Sequence, residues 1–146
     1  MLKTTIIKNI SIVNDGKILL GDVVIENHII KKIGNVLNSD SYEVIDGTGK
    51  FLIPGIIDGQ VHFREPGLTH KADLYSESRA AVAGGVTSFI DMPNTIPNVL
   101  SLAALEEKNK LASIKSLANY GFFLGVNGDN LEEVLKLDTT SLLAVS

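Results

Sequence analysis

The chain has 146 residues, 45% hydrophobic and 21% charged, the composition of an ordinary globular protein long enough to build one core. Its formal charge of -4 comes from 13 basic and 17 acidic residues scattered without a Lys/Arg run, which argues against nucleic acid as a partner. With no cysteine, a disulfide framework and a thiolate metal site are both excluded, and any metal must be held by nitrogen and oxygen ligands. Lys3, Lys8 and Asn9 make the N-terminus too polar for a signal segment, and no apolar run approaches the roughly 20 residues that span a bilayer. A cytoplasmic protein with no membrane partner is expected.

From Thr4 to Val44 short β-branched runs alternate with turns. Thr5-Ile7, Ser11-Val13, Gly21-Ile25, His28-Ile33 and Tyr42-Ile45 read as strands, with Asn14-Asp15-Gly16 and Glu26-Asn27-His28 as hairpin signals. A small antiparallel β unit is expected. After the Gly-rich turn Asp46-Gly47-Thr48-Gly49-Lys50 the texture changes to strands alternating with helical patterns, the mark of βα units around a parallel sheet. Strands are expected over Ile56-Phe63, Thr87-Met92 and Ala118-Leu124, and helices over Tyr75-Ala83, Ser101-Ile114 and Leu131-Leu137. Ser101 is a suitable N-cap. Gly84-Gly85 precedes a strand and has no following Lys-Ser/Thr, so it reads as a helix C-cap rather than a phosphate loop.

The run from Asp58 to Gly67 carries the chemistry. If it is extended, Asp58, Gln60, His62 and Arg64 project to one side and Val61 and Phe63 to the other. Residues two apart on a strand lie about 6.6 Å apart, close enough for both to converge on one ion beyond the strand end. Taken with Pro54-Gly55-Ile56-Ile57-Asp58, the Val61-His62-Phe63-Arg64-Glu65-Pro66-Gly67 run, Ala80 to Thr87 and Met92-Pro93-Asn94-Thr95, the chain resembles the dihydroorotases of the amidohydrolase superfamily, most strongly from Pro54 to Pro97.

The resemblance implies an α/β fold: residues 1–52 as part of a small β-sandwich, and 53–146 as the first three βα units of a TIM-type (β/α)8 barrel. Such a barrel needs eight strands and typically about 250 residues, so the barrel is expected to be incomplete, cut before its fourth strand. The apolar ending Leu142 to Ser146 fits that expectation, and the third strand should be an open edge that favours association. The implied activity is the reversible hydrolysis of the cyclic amide of dihydroorotate to N-carbamoyl-L-aspartate, a small-molecule reaction of pyrimidine synthesis, with the fragment itself inactive. Zinc is the implied cofactor, lowering the pKa of a bound water to about 7. A homo-oligomer is compatible with this reading.

Site roles follow the resemblance residue by residue. His62 would be a metal ligand, against the alternative of a buried hydrogen-bonded histidine. Gln60 stands where relatives usually carry histidine; it is a weak direct ligand, a group holding a metal-bound water, or the mark of a lost metal site. Asp58 either orients the site or caps a strand turn. Arg64 suits a substrate carboxylate, because its guanidinium can make two parallel hydrogen bonds; the alternative is a salt bridge to Glu65 or another surface acid. Asn94, aimed by Pro93, would share that carboxylate, or else bond its own backbone in a turn. Glu65-Pro66-Gly67 is expected to shape a loop without chemistry, with His28, His70 and Lys71 exposed. No catalytic residue is expected within this chain. Allantoinase or hydantoinase, and a non-catalytic dihydroorotase-like subunit, are the competing readings.

Overall fold

The computed structural model describes residues 4–36, 43–137 and 143–146, and divides the chain into two compact units, Met1–Pro54 and Gly55–Ser146. The division lies two residues beyond the boundary expected from the sequence.

In the first unit, β1 (Thr4–Asn14), β2 (Lys17–Glu26) and β3 (Ile29–Gly34) form antiparallel hairpins. Both turns have two residues at positive φ, Asp15-Gly16 and Asn27-His28, the twist that suits a tight hairpin. The unit is not purely antiparallel, however. β4 (Glu43–Asp46) and β5 (Phe51–Leu52) both run parallel to β1, so the described sheet is mixed. Parallel partners need a crossover, which short-range turn signals do not reveal. Tyr42, read as the start of the fourth strand, lies outside the described residues. The two expected runs Thr5-Ile7 and Ser11-Val13 are one strand with a bulge, since Ile7 pairs with Val23 while Ile10 pairs with Gly21.

Asp22 stabilises that bulge. Its carboxylate accepts from the Asn9 and Val36 N–H groups, each at 3.0 Å, and lies 3.5 Å from the Lys8 ammonium. The two backbone hydrogen bonds, ahead of the Lys8 charge, hold its pKa below the ordinary aspartate value. A depressed folded pKa contributes stability that is present above the unfolded value of about 3.9 and is lost as pH falls through the folded value. Asp22→Asn should therefore lower stability at neutral pH and flatten its decline below pH 4, in thermal melts recorded from pH 7 to pH 2.

The second unit alternates strands and helices: β6 (Ile56–Val61), α1 (Leu74–Ala83), β7 (Val86–Asp91), α2 (Leu102–Lys115), β8 (Asn119–Leu124), α3 (Leu131–Leu135) and β9 (Leu143–Val145). Its sheet is parallel, in the order β6-β7-β8-β9. The expectation of a chain cut before a fourth strand, leaving the third as an open edge, is thus corrected: Phe122, Phe123 and Leu124 of β8 pair with Leu143, Ala144 and Val145. A strand of three residues is too short to carry a recognisable period. Leu142 lies outside the described residues.

Local chemistry sets the helix ends. Asp73 caps α1 in a reciprocal box, accepting from Ser76 N at 2.8 Å while the Ser76 hydroxyl accepts from Asp73 N. Gly84 closes the helix and Gly85 follows at φ +88. Ser101 caps α2 by accepting from Ala104 N. The core beneath is Phe63, Leu74, Phe89, Val99, Leu105, Ala112, Phe122 and Leu124, with the Phe63 and Phe89 rings 4.4 Å apart. Among the described residues no helix is long and apolar enough to cross a membrane.

Candidate functional site at the strand ends

The expected strand Ile56-Phe63 ends instead at Val61, and it is not regular before that. Asp58 pairs with Phe89 and Val61 with Asp91, so β6 holds one residue more than β7 between these partners. This bulge breaks the simple alternation that would set Asp58, Gln60, His62 and Arg64 on one face. Arg64 departs further, at φ +70, with its carbonyl accepting from Leu68 N in a turn. The change of direction lets the chain leave the sheet immediately after His62 and Phe63.

His62 and Asn94 meet. His62 Nδ1 lies 3.0 Å from Asn94 Oδ1, and both side chains are exposed. An amide oxygen accepts only, so Nδ1 is the donor in this contact, and in the neutral imidazole that tautomer leaves the Nε2 lone pair for a metal or a proton donor. His62 is therefore an exposed, oriented imidazole and not a buried core histidine. Asn94 also borders a shallow depression of about 170 Å³ lined by Pro93, Asn98, Leu100, Gly125, Val126 and Ser146.

The other candidates are distributed around this pair. The Asp58 carboxylate accepts from Gln60 N at 3.1 Å, a local contact that shapes the bulge. Gln60 is exposed and Arg64 half-buried. Glu65 is directed elsewhere: it accepts from Leu74 N at 3.0 Å and pairs with Lys115, leaving Arg64 with no ion-pair partner among the described residues. The alternative of an Arg64–Glu65 salt bridge does not form. Glu65 is thus a buried support of the loop, and Gly67 completes that loop at φ +80, where a Cβ would fall 2.0 Å from Ile96 O. His28, His70 and Lys71 are exposed.

No group of three or more His, Asp or Glu side chains able to hold a metal occurs among the described residues. A catalytic zinc site takes three protein ligands. His62 fits as one ligand and Gln60 only as a poor one, so these residues do not complete a zinc site.

Two buried charges below the site were not anticipated. Asp91, at the end of β7, accepts from Phe63 N at 2.9 Å through Oδ1. Its Oδ2 lies 2.8 Å from Lys108 Nζ, and both side chains are essentially inaccessible. Oδ2 has no hydrogen bond of normal geometry, so the contact with Lys108 is that of an ion pair. Lys108 donates to Met92 O at 3.0 Å and lies 4.9 Å above the Phe122 ring. Burial pushes the Lys108 pKa below the ordinary lysine value, and Asp91 offsets part of that shift. The sequence did hold a signal: Leu105, Lys108 and Ala112 share one helical stripe, and a lysine on an apolar stripe needs a buried partner. Asn130 was also missed; its amide donates to Leu100 O and Gly125 O, joining the loops after β7 and β8.

A parallel sheet with intervening helices and polar groups gathered where the strands end is the arrangement of α/β enzymes that bind ligands at that edge. The chain has counterparts among solved structures. An L-hydantoinase (dihydropyrimidinase) from Arthrobacter aurescens superposes with a TM-score of 0.86 at 29% identity, over 93% of this chain and 30% of that one. A D-hydantoinase gives 0.77 at 34% identity, over 91% of this chain and 30% of the other. In sequence, a Dihydroorotase of Carboxydothermus hydrogenoformans is 41% identical over 94% of this chain and 33% of its own length, and one of Methanosarcina acetivorans is 42% identical over 92% and 30%. The family described as Dihydro-orotase-like matches residues 49–142, and the chain belongs to it. It spans about a third of the length of the curated relatives it matches.

Proposed function

We propose that this segment is the N-terminal part of a dihydroorotase, a metal-dependent cyclic amidohydrolase, in which Gly55–Ser146 contributes the first strands of a (β/α)8 barrel and residues 1–54 part of an accompanying β-sandwich. The carrying observation is the His62–Asn94 contact at 3.0 Å, with Arg64 two residues on and without an ion-pair partner among the described residues, on a chain 41% identical to a relative named Dihydroorotase. In this reading Arg64 and Asn94 hold the substrate carboxylate. Asn94 also fixes the His62 tautomer, so that Nε2 is presented as one ligand of a zinc site completed outside the segment. Asp58 holds the bulge carrying Gln60. These residues bind and orient, and the segment alone should not turn over substrate.

Hydantoinase is the second reading, supported by the matching solved structures. Assays of the whole protein on dihydroorotate and on an uncharged hydantoin separate the two. Arg64→Lys should reduce kcat/KM for dihydroorotate by roughly tenfold to a few hundredfold while metal content is unchanged. A lysine keeps the charge but loses the two-pronged contact, and hydrogen bonds to charged groups are worth about 1.5–3 kcal/mol each. Gln60→His should instead raise the metal retained after dialysis, measured by elemental analysis. Preference for hydantoin, with Arg64→Lys without effect, would remove dihydroorotase in favour of the second reading.

A further inference from the structure

We infer that Asp91 and Lys108 are positioning residues: a buried charge pair that ties the exits of β6 and β7 together and thereby sets the contact between His62 and Asn94. The inference rests on the proposed site, since it concerns how that site is held.

The connections are short and lie wholly within one unit. Met92 N donates to Val61 O at 3.0 Å, the backbone bond that joins the two strands where they end. One step further along each chain the sheet pairing stops, and Asp91 takes over by accepting from Phe63 N. Phe63 directly follows His62, so the carboxylate fixes the peptide on which the imidazole is carried. On the other side Lys108 holds the carbonyl of Met92, two residues before Asn94. The ammonium and carboxylate are 2.8 Å apart, which makes each arm of the clamp depend on the other.

Stability alone is a poor explanation for such a pair. Taking two charges out of water is unfavourable, and apolar residues of similar volume often serve folding as well or better. What a charge pair offers is direction. Asp91 and Lys108 each engage a named backbone group, and an apolar pair would leave Phe63 N and Met92 O to find other partners.

The double variant Asp91→Asn/Lys108→Met tests this in the whole protein. Asparagine retains an oxygen for Phe63 N, methionine fills the lysine volume, and no unpaired charge remains, so the fold should persist. The single variant Lys108→Met serves as the control that breaks the pair and leaves a buried charge. The primary readout is the His62 tautomer, from imidazole nitrogen shifts in metal-free protein held at one pH well above the histidine range, which needs no activity. The wild type should show His62 protonated at Nδ1, and the double variant a mixture of tautomers. Its kcat/KM should also fall between tenfold and a hundredfold, since a misplacement of about 1 Å at a site can remove on the order of 100-fold. A double variant that folds with the wild-type tautomer and wild-type kinetics would overturn the inference. If wild type has no dihydroorotase activity, the proposed function fails, but the tautomer comparison still decides whether the pair sets the contact.

Discussion

Lys108→Met should destabilise the protein by about 3–5 kcal/mol, the effect of removing one partner from a buried ion pair. Lys108 and Asp91 are both shielded from water, and the substitution leaves the Asp91 carboxylate facing an apolar side chain with its Phe63 contact intact. Methionine restores most of the packing volume, so the loss reports charge rather than a cavity. Adding Asp91→Asn should recover most of it, because the uncompensated charge is then gone. Urea unfolding of the wild type, both single variants and the double variant closes the cycle, and purely additive losses would contradict the ion-pair account.

Phe122→Ala should be comparably damaging, at about 3–5 kcal/mol, for a different reason. Phe122 is fully buried in β8, packs against the Tyr120 ring at 5.5 Å and lies below the Lys108 ammonium. Truncation opens a cavity between the sheet and α2 that neither rigid element can close. Phe122→Leu keeps most of the volume and should lose less than about 1.5 kcal/mol. Because Phe122 and Lys108 touch, Phe122→Ala and Lys108→Met should combine non-additively, with a coupling of about 0.5–3 kcal/mol in the same unfolding measurement. A Phe122→Ala variant as stable as the leucine variant would show that the cavity does not form.

Much of the architecture is written locally. The hairpins at Asp15-Gly16 and Asn27-His28, the Ser101 cap and the Gly84-Gly85 helix end depend on residues within a few positions of one another, and the sequence shows all of them. The shift from β-branched runs to alternating strands and helices announces the second unit in the same way. The motif from His62 to Gly67 and the later Asn94 are legible too, because residue type and spacing are sequence properties.

The geometry of the candidate site was decided elsewhere. The bulge between Asp58 and Val61 exists only against the register of β7, so alternation along one strand could not reveal it. The meeting of His62 with Asn94 requires two parallel strands to end side by side, and the pairing of β4 and β5 with β1 likewise needs a crossover. Glu65 finds Lys115, and Asp91 finds Lys108, across elements whose positions are set by core packing. Short-range steric and capping preferences are contained in the chain itself, whereas the partners of buried charges and unpaired backbone groups are chosen only when the sheet and helices close over them.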